Sequence, residues 1–384
     1  MLIFIFTTSY PDAEFPSKNI FVYEQAKELA NRGHRIVVLH VKKLPVKRLF
    51  KQIDRDIRVF DDVFAKRYFV QQKTLLDRKF HSLNKVIFVN SVNKLFARAI
   101  EEEGVPDVLY AHFSCWAGVA AARISKKFNV PLVALEHYGG LLGDKISKIQ
   151  KAGIEEVINQ SSVFLCVSEG LKRALQKKVS CSKEIKVVPN MIDRRFVCVP
   201  PVKKEIFVFS SIGNLYKEKG FELLINAFCK AFDADQPVEL RIGGGGPMLN
   251  HLQKLIDTNK RLNQIHLIGR LTREQTIQEY CNCDYFVLAS NHETFGMVYR
   301  EALITGRPII TTDHGGFSGS DWHECYGYKI PVGDEETLVS KLRSAVARGT
   351  TYNYKEISET CMKDCSAEKV GDLVENYLKY AIKK

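Results

Sequence analysis

The segment at residues 291–312, NHETFGMVYREALITGRPIITT, holds the side chains most readily given a chemical task. Glu293 and Glu301 stand either side of Phe295 and Gly296, and Gly306, Pro308 and a β-branched run follow. The preceding YFVLAS reads as a strand, and the spacing predicts a helix that begins near Phe295 and is closed by Gly306. The first backbone N–H groups of such a helix, around Phe295, Gly296, Met297 and Val298, have no partner inside it. At the carboxyl edge of a parallel sheet they form an anion site suited to a phosphate or diphosphate. Gly296 lets a ligand approach the backbone closely. Glu301, about one and a half turns into the helix, can accept hydrogen bonds from vicinal hydroxyls such as those of a ribose. Glu293, ahead of the helix, can hold a second polyol such as a sugar ring. Either glutamate alone reads better as a surface or capping carboxylate. Together with the helix start they suit a nucleoside diphosphate joined to a sugar.

Other candidates stand just after predicted strands. Lys219 lies in a loop between Gly213 and Gly220, where an ammonium can neutralise diphosphate charge; the neighbouring Lys217 shows what a merely solvated lysine there looks like. The run Gly243–Gly246 either lines a ligand cleft or only turns the chain into the helix that Pro247 opens. His112 closes DVLYAHF and His137 closes PLVALEHYGG, and the glycines after His137 suggest a flexible strand-to-loop exit. No acidic pair follows a strand in a way that calls for a metal, and no histidine pattern beside the ten cysteines looks like a zinc site.

These residues need elements to position them, and the chain supplies two sets. Short β-rich runs alternate with amphipathic stretches, which predicts βαβ units and parallel sheets. The alternation pauses at DRRFVCVPPVKKE, where Pro200 and Pro201 mark a linker, and then restarts. Over 384 residues this predicts two α/β domains, 1–200 and 201–366, with a lone amphipathic helix over 367–384 packing back on the first. No apolar run approaches the ~18 residues of a membrane span, and MLIFIFTTSYP reads as a buried first strand rather than a leader. The thiols read as free cysteines of a reducing cytoplasm.

The net charge of +12 suggests a polyanionic neighbour. Basic residues crowd the stretch 41–80, namely Lys42, Lys43, Lys47, Arg48, Lys51, Arg55, Arg58, Lys66, Arg67, Lys73, Arg78 and Lys79, with Phe50, Phe60, Phe64, Tyr68 and Phe69 interleaved. That stretch reads as partly helical and either lies on an anionic membrane surface or forms a solvated insertion. No nucleic-acid module is recognisable, so charge alone would favour oligonucleotides.

The pattern E-x7-E followed by A-L-x-x-G-x-P-I-I resembles the signature of glycosyltransferase family 4. SSIGNLYKEKG, LRIGGGGPM, HLIGRLTREQTIQEYCNCDYFVLAS, FLCVSEGLK, VVPNMID and GHRIVVL extend the resemblance over nearly the whole chain. The resemblance implies the GT-B fold, two Rossmann-like domains with parallel sheets facing a central cleft. It also implies retaining transfer from a nucleotide-sugar donor, UDP- or GDP-linked, without a metal or a permanently bound cofactor. On it, Lys219 binds the phosphates, the loop at Gly269 and Arg270 lies by the base, and His137 contacts the donor sugar. Apart from the resemblance, His112 and Glu136 are read on the acceptor side, with Glu136 either facing the acceptor or buried. The leaving diphosphate itself helps to deprotonate the acceptor hydroxyl, so no protein nucleophile is required. A hexose or N-acetylhexosamine would pass to a glycan or lipid-linked acceptor in surface polysaccharide assembly, in the cytoplasm or on the inner face of the membrane.

Two positions depart from the family pattern. Asn214 stands where the family usually has an arginine, so one positive charge near the leaving group is missing. Asn19 stands where a glycine is common. Three other readings remain at this point: a GT-B nucleotide-sugar epimerase, a non-catalytic nucleotide-sugar-binding subunit, and a nucleic-acid protein.

Overall fold

The computed structural model describes residues 1–12, 18–45, 56–74, 81–143, 146–181, 183–317 and 322–384. The chain forms two compact units, Met1–Met191 with Ala367–Lys384, and Ile192–Ser366.

Unit 1 is built on an eight-stranded sheet. Its strands are β1 (Leu2–Thr7), β2 (Arg35–Pro45), β3 (Arg58–Asp62), β4 (Ala65–Thr74), β5 (Val108–His112), β6 (Leu132–Glu136), β7 (Val163–Cys166) and β8 (Ile185–Val187), in the order β3-β4-β2-β1-β5-β6-β7-β8. Among the described residues, only the β3–β4 pair is antiparallel. The central strands are apolar on both faces, and every residue of β5 and β6 is buried. This is what a parallel sheet covered by helices requires. The helices are α1 (Ile20–Asn31), α2 (His81–Glu103), α3 (Val119–Phe128), α4 (Lys148–Gln160) and α5 (Glu169–Gln176). Asn19 opens α1 in the left-handed region at φ 50°. Asparagine is the residue after glycine that tolerates this best, which accounts for the exchange at a position where glycine is common.

The stretch 41–80 differs from its expectation. Its described part is strand, not helix: β2 continues to Pro45, and β3 and β4 form a hairpin. Lys47, Arg48, Phe50, Lys51, Arg55, Arg78 and Lys79 lie outside the described residues. Four of the remaining cations are engaged by the protein. Lys42 pairs with Asp12 at 2.6 Å, Lys66 with Glu103 at 2.7 Å and Arg67 with Asp62 at 3.0 Å, and Lys43 lies 4.3 Å over the Trp116 ring.

Unit 2 has a six-stranded, wholly parallel sheet in the order β11-β10-β9-β12-β13-β14. The strands are β9 (Phe207–Ile212), β10 (Val238–Gly243), β11 (Ile265–Gly269), β12 (Tyr285–Leu288), β13 (Ile309–Thr312) and β14 (Gly327–Ile330). The helices are α6 (Phe221–Ala231), α7 (Leu249–Thr258), α8 (Arg273–Asn282), α9 (Met297–Ile304), α10 (Glu335–Arg348) and α11 (Tyr354–Cys365).

The units divide at Met191 rather than at residue 200. Residues 192–200 belong to unit 2 because their hydrogen bonds go there. The Ile192 N–H donates to Cys365 O at 2.9 Å, and the fully buried Arg307 donates to Val199 O at 2.8 Å. The prolines mark an irregular segment, not the boundary.

The last helix, α12 (Ala367–Lys383), belongs to unit 1. Val370, Val374, Leu378 and Ala381 form its buried stripe. Beside that stripe, Arg32 at the end of α1 reaches Glu28 (3.0 Å), Asp372 (2.6 Å), Glu375 (3.2 Å) and the Glu368 carbonyl (2.9 Å). A Cβ on Gly371 would stand 2.7 Å from this guanidinium. Glu375 also takes Lys379 at 2.5 Å and His34 at 3.1 Å. The Lys379 hydrogen bond, with those of Arg32 and His34, outweighs burial and holds the Glu375 carboxyl at about 2. A depressed carboxyl stabilises the fold above its unfolded value, near 4.3, and loses that contribution as pH falls towards 2. Arg32→Met is therefore expected to destabilise unit 1 by about 1–2 kcal/mol at neutral pH. It should also flatten the acid loss of stability between those pH values, read by circular dichroism. Wild-type melting at both pH values would mean that the apolar stripe alone docks α12.

Candidate active site

The carboxyl edge of the unit 2 sheet is assembled by backbones that approach unusually closely. After β9, the chain runs through Gly213 and Asn214 to a 3-10 turn at Lys217–Lys219 and enters α6 through Gly220 at φ 69°. A Cβ on Gly220 would stand 2.0 Å from the Ala289 carbonyl oxygen, so only glycine allows this turn to press on the end of β12. Just beyond, the Asn291 N–H donates to Glu218 O at 2.8 Å. The β9 and β12 loops are thus held together, and their candidate side chains meet. Lys219 Nζ lies 2.5 Å from Glu293 Oε1, and Ser290 Oγ donates to the same oxygen at 3.0 Å. The Thr312 hydroxyl donates to the Ser290 carbonyl, which ties in the end of β13.

Helix α9 starts beside this pair. Its N-cap, Gly296, is left-handed at φ 77°, and a Cβ there would meet the Tyr299 ring at 2.8 Å. The first amides of α9 have no acceptor within the helix. One turn in, Arg300 is only 4% exposed. Its guanidinium lies between the Phe295 ring (3.7 Å) and the Phe317 ring (4.1 Å), and donates to the Phe295 carbonyl and, at 3.0 Å, to the Gly316 carbonyl. His314, in the β13 loop, accepts from the Gly316 N–H through Nδ1 at 3.0 Å. Its Nε2 therefore carries the proton and donates to Thr311 Oγ1 at 3.1 Å. Burial first, then the Arg300 and Lys219 charges, push His314 down to about 3, so it stays neutral at physiological pH.

Glu301 is 3% exposed and both its oxygens have protein partners. Arg273 Nη1 stands 2.6 Å from Oε1, and Tyr280 Oη donates to Oε2 at 3.2 Å. Arg273 also stacks on Phe196 at 4.2 Å and pairs with Asp193 at 3.3 Å. Burial works to raise the Asp193 carboxyl, but the Arg195 hydrogen bonds and the Arg273 charge outweigh it and hold it below its ordinary range. The predicted ribose ligand is therefore anchored by an arginine that sequence reasoning missed. A carboxylate has about four acceptor sites, so two bonds leave Glu301 capacity for hydroxyls.

The remaining candidates fall as follows. Asn214 is exposed, and Gly269 at φ 74° faces open space. Arg270 lies across Gly245, where a Cβ would stand 2.7 Å from its Nε. The glycine run has a packing reason: Cβ atoms on Gly244 and Gly246 would stand 1.9 Å and 2.6 Å from the carbonyl oxygens of Gly213 and Leu215. Among the described residues no three His, Cys, Asp or Glu side chains group as metal ligands.

In unit 1, two acceptor-side expectations change. Glu136 and His112 are both 0% exposed. Glu136 accepts from the His137 and Tyr138 N–H groups, each at 2.8 Å, and from Ser114 N–H at 3.0 Å. It fixes the strand-to-loop exit rather than touching an acceptor. His112 Nδ1 and His137 Nε2 are 3.0 Å apart, and His137 stacks on Phe21 at 4.4 Å. Burial pushes His112 down to about 3, and burial with the neighbouring His112 lowers His137, so the contact is a neutral N–H···N bond. His112 thus positions His137.

Gly220→Ala is expected to cost more than about 2 kcal/mol, since a methyl group meets a carbonyl in a left-handed turn. Denaturant unfolding measures this. A cost below 0.5 kcal/mol, about that of a neutral surface change, would contradict the close approach of the two loops.

Comparison with known proteins comes out consistently. Residues 19–196 match the profile described as Glycosyltransferase Family 4, and residues 195–358 that of Glycosyl transferases group 1. An uncharacterized glycosyltransferase of Methanocaldococcus jannaschii is 25% identical over 290 residues, 73% of this chain and 76% of that protein. A sucrose-phosphate synthase of Thermosynechococcus elongatus superposes with a TM-score of 0.80 at 16% identity, covering 98% of both chains. The Anabaena protein HepE, solved in complex with UDP, gives 0.73 at 18% identity and covers 99% of this chain and 100% of its own. These two structures share the fold.

Proposed function

The chain belongs to glycosyltransferase family 4, and on that premise we propose that it moves a hexose or N-acetylhexosamine from a nucleoside-diphosphate sugar to a glycan or lipid-linked acceptor, with retention. The observation that carries this reading is the meeting of Lys219 and Glu293, 2.5 Å apart, beside the start of α9. An ammonium, a set of unpaired amides and a carboxylate are what a diphosphate joined to a polyol requires. Lys219 exchanges Glu293 for the diphosphate, and the freed Glu293 accepts from sugar hydroxyls. Glu301 takes the ribose from its anchored position, and the resemblance assigns His137 to orienting the sugar.

In the transfer, the bond from C1 to the diphosphate oxygen breaks. A bond from the acceptor oxygen to C1 forms on the same face, and the acceptor proton leaves on a diphosphate oxygen. Lys219 and the α9 amides stabilise the charge that develops there. A cytoplasmic, membrane-proximal setting in surface polysaccharide assembly accords with the net charge of +12. The engaged lysines of β2 and β4 leave any lipid contact to other basic residues.

Thermal shifts with UDP, GDP and their sugars, in the presence of a chelator, test the donor site. UDP is the first probe, because HepE was solved with it. One nucleotide class should raise the melting temperature. Lys219→Ala should weaken its binding at least about tenfold, or 1.4 kcal/mol. Glu293→Ala should keep diphosphate binding and lose turnover. Wild-type affinity in Lys219→Ala would remove the phosphate role. A second reading, a non-catalytic nucleotide-sugar binder, is motivated by the neutral Asn214. It predicts donor binding with neither transfer nor hydrolysis in any acceptor mixture.

A further inference from the structure

Among the described residues, Arg300 is a buried cation without a counter-charge. It is 4% exposed, its hydrogen bonds go to two carbonyls, and no carboxylate stands within ion-pair distance of it among the described residues. Burying an unpaired charge is costly, and a well-packed apolar side chain of similar volume is usually preferred at such a place. The attraction of a cation to two rings offsets only part of the desolvation. Packing therefore does not explain a guanidinium here.

Its location does. Arg300 Nη1 lies 3.8 Å from where a Cβ on Gly296 would stand, so the charge sits directly behind the N-terminus of α9. The two carbonyls it holds, of Phe295 and Gly316, belong to the loops that follow β12 and β13. Its field also reaches His314, on which Lys219 acts as well. In the loop after β9, the neutral Asn214 stands where the family pattern has a cation. We propose that Arg300 is the second cation for the donor diphosphate. It acts from behind the α9 amides, without touching the ligand, and replaces the charge missing at position 214. It is a positioning residue that serves the diphosphate and not the nucleoside. This rests on the donor site proposed above.

The test compares wild type, Arg300→Met, Arg300→Gln and Arg300→Lys by calorimetric titration with UDP, and with uridine by competition; GDP and guanosine replace them if guanine is the base. Loss of one buried charge near a diphosphate should raise the Kd for UDP about tenfold or more in Arg300→Met. The Kd for uridine should stay within about twofold. Arg300→Lys should recover most of the UDP affinity. If Arg300→Met does not fold, Arg300→Gln, neutral but still able to bond a carbonyl, makes the same comparison. Parallel losses for UDP and uridine, or unchanged UDP binding in the neutral variants, would overturn the proposal. A wild-type chain that binds no nucleoside diphosphate would overturn the donor site itself, before any variant is compared.

Discussion

An ammonium and a carboxylate from two different strand-to-helix turns share a half-buried ion pair, Lys219–Glu293, and unit 2 is arranged to bring them together. The pair forms because a glycine lets one turn press on the carbonyl that ends the neighbouring strand. Gly220, Ala289, Glu218 and Asn291 set the distance between the loops. Ser290 and Thr312 then orient the glutamate and join the third strand. A pair so placed is poised for exchange, because a ligand with more negative charge than one carboxylate competes for the lysine. Under the proposed function, the glutamate released in that exchange becomes an acceptor for hydroxyls.

Around the pair, the carboxylates are already occupied while positive charge is in excess. Glu301 is tied to Arg273 and Tyr280, and Asp193 to Arg195 and Arg273. Burial keeps His314 neutral, so it adds no charge of its own. Among the described residues Arg300 has no carboxylate partner, and two carbonyls and two rings hold it in place beside the first amides of α9. A site preorganised in this way pays little reorganisation when an anion arrives or when charge builds on a leaving group.

Much of this was legible in the sequence, for a definite reason. Alternating apolar runs and helix-closing glycines are local signals, so the βα units, α9 and its two glutamates, and the loop carrying Lys219 could be read directly. The β3–β4 hairpin could not, because Lys66 with Tyr68 and Arg67 with Phe69 mix basic and aromatic residues on both faces, and the pattern fits a helix as well as a strand. The partners of the glutamates were hidden because they are made in three dimensions. Arg273 meets Glu301 across 28 positions and Lys219 meets Glu293 across 74. His112 was read on the acceptor side, and Glu136 was open between that side and burial, because a polar residue ending a strand can turn to a ligand or to backbone N–H groups. Only the fold shows that theirs turn inward. The glycine run was ambiguous for a related reason, since close backbone approach and ligand approach demand the same residue.

The most direct test of the account is a crystal structure of the chain with UDP bound. The diphosphate should lie on the first amides of α9, with Lys219 Nζ moved from Glu293 to a phosphate oxygen. UDP bound at another edge of the sheet, or bound with the Lys219–Glu293 pair intact, would contradict it.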